Sequence, residues 1–178
     1  MKIIAISDTH IKTGSLKEQL PADLLTLLKD ADMILHAGDF VTKRAFDEFS
    51  ALGKLEAVHG NMDDSALHKF LPERRVIEVE GLKIGIVHEA SLSLQDMTGA
   101  WYLAKEMSVD VLIFGHIHRP LIEMEDSVIA CPGSPTLPRL SEPSAIELNI
   151  EDGGITGRII TFKGTKCGAL ESARSFRR

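Results

Sequence analysis

Residues 2–10 read Lys2-Ile3-Ile4-Ala5-Ile6-Ser7-Asp8-Thr9-His10. An unbroken apolar run rich in isoleucine, stopped abruptly by polar residues, predicts a strand buried on both faces of a sheet rather than one facing water on alternate residues. The same pattern returns at Met33 to Ala37, Leu55 to His59, Leu82 to Val87 and Val111 to Phe114. Helical spacing fills the intervals. Pro21 opens a segment carrying Leu24, Leu25, Leu27 and Leu28, and Thr42 is placed to cap a helix with Ala45, Phe46, Phe49 and Leu52. A third segment, Leu94 to Met107, holds Trp101 and Tyr102 and reads as a core helix, with an interface to a second copy of the chain as the alternative. Strand alternating with helix is the mark of an α/β domain.

After Pro120 the texture changes. Leu121 to Met124, Ser127 to Ala130, Ala145 to Ile150 and Ile155 to Phe162 are strand candidates joined by turns at Glu125-Asp126, Pro143-Ser144 and Asp152-Gly153-Gly154. Short strands without intervening helices predict an antiparallel second sheet. Two packed sheets flanked by helices are the expected product. Residues 165–178 show no periodicity and end in basic residues, so a domain over 1–164 followed by a flexible tail is expected.

The 178 residues suit one domain, and 44% hydrophobic content with 26% charge belongs to a folded, globular chain. No apolar run approaches the roughly 20 residues that a spanning helix needs, and the N-terminus turns polar too early for a secretion signal. Cys131 and Cys167 lie far apart in no metal or redox spacing. The expectation is a cytoplasmic protein with no membrane partner. With 20 Lys and Arg against 26 Asp and Glu, the formal charge is −6. A basic footprint for duplex nucleic acid is missing. One Trp, one Tyr and seven Phe are too few to suggest a stacking platform for single strands.

The chemistry collects where the apolar runs stop. The first ends in Asp8-Thr9-His10, the second in Gly38-Asp39, the third in His59-Gly60-Asn61, the fourth in His88-Glu89 and the fifth in Gly115-His116-Ile117-His118. Ligands of open α/β sheets gather outside the carboxyl ends of the strands, where the loops converge. Each fragment alone has an ordinary reading, since a lone Asp caps or turns the chain and a lone His satisfies itself by hydrogen bonding. Their conjunction at one end of five strands points to a metal site. Carboxylate, amide and imidazole donors without thiolate suit Mn, Fe, Co, Ni or Zn.

These fragments, in this order, resemble the motif series of the calcineurin-like metallophosphoesterases. The run Asp110 to His118, followed by Cys131-Pro132-Gly133-Ser134, is similar to the small YfcE-type phosphodiesterases in particular, and the resemblance extends over about residues 1 to 163. It implies a four-layer α/β/β/α sandwich of metallophosphoesterase type. It further implies two divalent metal ions, with Mn preferred and Ni, Co, Fe or Zn as alternatives. Matched residue by residue, the family pattern assigns Asp8, His10 and His118 to one metal, Asn61, His88 and His116 to the other, and Asp39 as the bridge. Asp39, Asn61 and His88 would be the catalytic members of the set. Two divalent ions outweigh two aspartates and a bridging hydroxide, so an acidic protein would still offer a cationic centre to a small phosphodiester. The activity implied is hydrolysis of a phosphodiester by hydroxide activated between the metals.

Two departures stand out. Related nucleases and phosphatases follow Gly-Asn with a histidine that serves as general acid, whereas here Asn61 is followed by Met62 and Asp63, which leaves His36 and His59 as nearby histidines. His88-Glu89-Ala90 stands where the family often has His-Gly-His. Ser134 could face the site or build a turn, and Arg119 and Arg139 could meet a phosphate or be solvated. A phosphomonoesterase and an inactive protein-binding scaffold, such as the retromer subunit that shares this fold, are the alternatives; the full set of ligand types favours the enzyme.

Overall fold

The computed structural model describes residues 1–90, 96–163 and 175–177. Two sheets pack face to face. One has the order β11 (Ser175–Arg177), β10 (Gly154–Thr161), β9 (Ser144–Glu151), β1 (Lys2–Ile6), β2 (Met33–Ala37), β3 (Leu55–Val58), the other β4 (Arg74–Val79), β5 (Leu82–Val87), β6 (Val111–Ile113), β8 (Val128–Cys131), β7 (Leu121–Met124). The first is built on parallel strands β1 (Lys2–Ile6), β2 (Met33–Ala37) and β3 (Leu55–Val58), the second on the parallel pair β5 (Leu82–Val87) and β6 (Val111–Ile113). Along β1 the side chains divide by parity. Ile3 and Ala5 enter the seam between the sheets with Leu35, Ile84, Ile86 and Ile113, while Ile4 and Ile6 face the opposite way. Both faces are thereby covered, which is why the sequence shows a continuous apolar run and no alternation.

Helices complete the outer layers. α2 (Ala22–Lys29) and α3 (Lys43–Ser50) bury Leu24, Leu28, Ala45 and Phe49 on the outer face of the first sheet. Thr42 caps α3, its hydroxyl accepting from the Ala45 N–H at 3.2 Å. α5 (Thr98–Met107) buries Ala100 and Ala104 on the outer face of the second sheet, with Trp101 half-buried beside them. The result is the expected four-layer α/β/β/α sandwich. Among the described residues no helix is long and apolar enough to cross a membrane.

The strands after Pro120 depart from the expected arrangement. They do not form a sheet of their own. β7 (Leu121–Met124) and β8 (Val128–Cys131) join the second sheet, β8 running parallel to β6, while β9 (Ser144–Glu151) and β10 (Gly154–Thr161) join the first through β9 antiparallel to β1. Each parallel core presents an open edge, and each hairpin closes one. The third helix begins at Thr98; residues 94–95 of the expected span lie outside the described residues, as does Cys167. Ser175–Arg177 form β11 on β10, inside the stretch read as a tail.

Three further elements were hidden in the sequence. β4 (Arg74–Val79) is an edge strand whose charged outward residues mask an inward Ile77 and Val79; it pairs with β5 across a tight turn in which Glu80 and Gly81 both have positive φ. α1 (Leu16–Gln19) and α4 (Ser65–Phe70) are too short to carry a helical period.

Candidate metal centre

The parallel ladders continue into the loops and so fix the residues beyond the strands. The Asp8 N–H donates to the Gly38 carbonyl at 3.0 Å, His10 N–H to Asp39 O at 2.9 Å and Gly115 N–H to His88 O at 3.0 Å. The His116 N–H reaches both carboxylate oxygens of Asp8 at 3.1 Å. Five of the seven expected ligands, Asp8, His10, Asp39, His116 and His118, have positive φ between 45° and 71°. Left-handed backbone costs a non-glycine residue on the order of 1–3 kcal/mol and persists only where the surroundings impose it. Asp-x-His and His-x-His thus share one conformation, which turns alternate side chains to the same side.

Close approach of the loops depends on glycine. A Cβ on Gly60 would lie 2.2 Å from Asp39 Oδ1, and one on Gly115 would lie 2.9 Å from both the Ala37 carbonyl and Asp8 Oδ2. No side chain fits at either position.

All seven residues meet at one end of the sandwich. Asp8, His10 and His118 form one group: His118 Nε2 is 3.3 Å from Asp8 Oδ1, His10 Nε2 is 4.0 Å from the same oxygen, and the two Nε2 atoms are 3.2 Å apart. Asn61, His88 and His116 form a second, with Asn61 Oδ1 2.9 Å from His88 Nε2 and 3.2 Å from His116 Nδ1. Asp39 stands between them, its Oδ2 3.5 Å from His10 Nε2 and 3.4 Å from His88 Nε2. The Nδ1–H of His88 donates to the Ala37 carbonyl at 2.8 Å and that of His118 to Leu137 O at 2.6 Å. Donation from Nδ1 aims Nε2 at the centre, an arrangement typical of metal-bound histidine.

Charge distribution fits the same use. Burial pushes the Asp8 carboxyl up to about 6, against the His88 charge and the Ser7 hydrogen bond. Burial opposes charge on His88, but its hydrogen bond to Asp39 and the fields of Asp8 and Asp39 outweigh this and raise it to about 9. Burial also works against the Asp39 carboxylate, yet the His88 contact and the Met62 N–H, 2.7 Å from Oδ1, hold it below its ordinary value. His10 and His118 are lowered, chiefly by burial. In the metal-free protein a protonated His88 therefore balances the buried carboxylates that a divalent cation would otherwise neutralise. Converging imidazole nitrogens, two buried carboxylates and an amide oxygen form a donor set suited to such ions, and Cys131 is buried with its thiol pushed up.

An open cleft of about 510 Å³ leads to the centre, with Lys12, Gln19, Met62 and Arg139 on its walls. Arg139 thus belongs to the cleft, and Arg119, outside its lining, is exposed. Ser134 takes the structural role. Fully buried, it donates to the Asp8 carbonyl at 2.7 Å and accepts from Leu137 N at 2.8 Å, tying the Asp8 loop to the β8–β9 connection. His36 is a core residue: it has no exposed surface, stacks on Phe40 at 3.5 Å and is held well below its ordinary pKa by burial. His59 stacks obliquely on His68, ring centroids 4.2 Å apart, in a smaller cleft of about 210 Å³ beside Asn61 and His88.

Two residues were quoted in the sequence reading without a role of their own. Asp63 accepts from Gly60 N at 2.8 Å, Val41 N at 2.6 Å and Asp39 N at 3.2 Å, locking two ligand loops together. Glu89 lies beside His88 and His116. Their only signal was position, immediately after residues already singled out.

Residues 1–153 match the family model of the calcineurin-like phosphoesterase superfamily domain. The chain belongs to that superfamily. A probable metallophosphoesterase of Methanothermobacter thermautotrophicus is 37% identical over 177 residues, which is 98% of this chain and all of that protein. One from Methanocaldococcus jannaschii is 38% identical over 154 residues, 85% of this chain and 77% of the relative. Among solved structures, Vps29 of Chaetomium thermophilum has a TM-score of 0.79 at 22% identity, covering 100% of this chain and 93% of that one. Vps29 of Entamoeba histolytica, solved in complex with Zn²⁺, has a TM-score of 0.76 at 24% identity, covering 100% and 98%. These two share the fold. Membership in the calcineurin-like superfamily makes this protein a metal-binding phosphoesterase hydrolase.

Proposed function

We propose that this calcineurin-like phosphoesterase hydrolyses small phosphodiesters at a centre of two divalent ions, with Mn as the preferred metal and a cytoplasmic setting. The observation that carries the reading is Asp39, whose carboxylate faces His10 of one donor group and His88 of the other at nearly equal distance. Asp8, His10 and His118 would hold one ion, and Asn61, His88 and His116 the other. Bound ions would supply Lewis acidity to the phosphoryl oxygens and bring the pKa of coordinated water toward 7.

The chain's own residues do the rest. Asn61 is neutral where an aspartate would cancel a further positive charge. Lys12 and Arg139 on the cleft walls add a favourable field for an anionic substrate in an otherwise acidic protein. Ala37 and Leu137 carbonyls hold the His88 and His118 rings in orientation. Met62 lines the cleft, 49% exposed, and its side chain has no proton to give, so departure of the alcohol relies on the stability of its own anion.

The test is metal analysis of the Mn-loaded protein together with a panel of aryl phosphomonoesters and phosphodiesters. Two ions per chain are expected in the wild type, at least one fewer in Asp39→Ala, and faster turnover of diesters than of monoesters. Unchanged stoichiometry in the variant would remove Asp39 as the bridge. Monoester preference would replace the diesterase reading, and metal binding with no hydrolysis of any ester would favour a scaffold.

A further inference from the structure

In the second donor group Asn61, His88 and His116 are all neutral donors, so this half of the centre depends for charge on Asp39, which it shares. Glu89 directly follows His88 at the end of β5. Its Oε1 lies 3.9 Å from His116 Nδ1, and its carboxylate and the ring nitrogens of His88 and His116 all fall within 4.8 Å of one another. Donors of one ion, each roughly 2.0–2.2 Å from it, sit at separations of this order. The Glu89 side chain is 48% exposed and that of His116 32%, whereas His88 is buried, so Glu89 approaches the group from its solvent side.

We propose that Glu89 is a carboxylate ligand of the ion held by Asn61, His88 and His116; the assignment rests on the two-ion reading above. Two consequences follow from elementary electrostatics. A third carboxylate adds a hard oxygen donor, which shifts this half of the centre toward Mn-like ions and away from softer ones. It also removes one unit of positive charge next to the substrate, which penalises a dianionic phosphomonoester more than a monoanionic diester. Glu89 would then contribute to the choice between ester classes as well as to metal retention.

The experiment is a titration of metal-free wild type, Glu89→Ala and Glu89→Gln with Mn²⁺, followed by calorimetry and electron paramagnetic resonance, with thermal unfolding as the control for folding. Two ions are expected to bind the wild type. In both variants one ion should bind as before and the other about 10–100-fold more weakly, the size of effect that even outer-shell partners of a metal site produce. The diester-to-monoester rate ratio should fall in the loaded variants. Equal loss at both ions that disappears at about 0.5 M salt would mean that Glu89 acts as a nearby charge only, and the assignment would be wrong. Unchanged affinities in both variants would overturn it while leaving the two-ion reading standing. A wild type that binds fewer than two ions would overturn both.

Discussion

At the scale of single residues, Met62 has the most direct bearing on rate. Its backbone N–H holds Asp39 while its side chain faces the cleft, so the position is well placed for a proton donor and lacks one. General-acid assistance is ordinarily worth about 10²–10⁴-fold. A plot of log kcat against leaving-group pKa, over methyl aryl and dialkyl phosphodiesters, should fall steeply, and Met62→His should flatten it. A shallow wild-type slope would mean that another group donates; with His36 sealed in the core, His59 is the histidine to examine. His88 yields a pH prediction. Its pKa of about 9 in the metal-free protein lies above the ordinary 6.5, so the stabilisation it contributes is complete below 6.5 and lost as pH rises through 9. The same proton must leave before a cation can bind. Loading Mn²⁺ at pH 7 should therefore release close to one proton from His88, and apparent affinity should climb between pH 6.5 and 9. Calorimetry in buffers of differing ionisation enthalpy measures this, and proton-neutral loading at pH 7 would contradict it.

At the scale of elements, the site was legible because strands end where chemistry begins. Asp8, Asp39, Asn61, His88 and His116 each stand within three residues of a strand's last residue, so finding the apolar runs located the candidate ligands. What stayed hidden depends on contacts distant in sequence. β4 was masked by Arg74 and Glu78, whose exposure reflects an edge position that only the assembled sheet defines, and by Arg75, which is half-buried against Glu56 at 2.6 Å. The pairing of β8 with β6 and of β9 with β1 depends on which edge each hairpin covers, and local turn signals carry no information on that. Asp63 shows the same limit. Read alone it is a polar loop residue, yet it satisfies N–H groups from two separate loops. Asp63→Ala would leave those donors unpaired where the chain is buried, at a cost of about 1–3 kcal/mol for each one left unsatisfied. A lower midpoint in urea and weaker Mn²⁺ binding are expected together. Unaltered stability would show that water replaces the carboxylate.

For the whole molecule, a net charge of −6 argues against a duplex-binding protein but says nothing of a local centre, because global charge and the field inside one cleft are separate quantities. The location of that centre has a further consequence. Asp8, His10, Asp39 and Asn61 extend from strands of the first sheet, while His88, His116 and His118 extend from the second. Each proposed ion would therefore take donors from both halves of the sandwich and act as a rivet across the seam. An ion held in this way favours the closed assembly by mass action, by about 2.7 kcal/mol at a free concentration one hundred times its dissociation constant. Metal supply would then set how long the folded chain survives as well as how fast it works, and starvation for metal would be felt first as fragility.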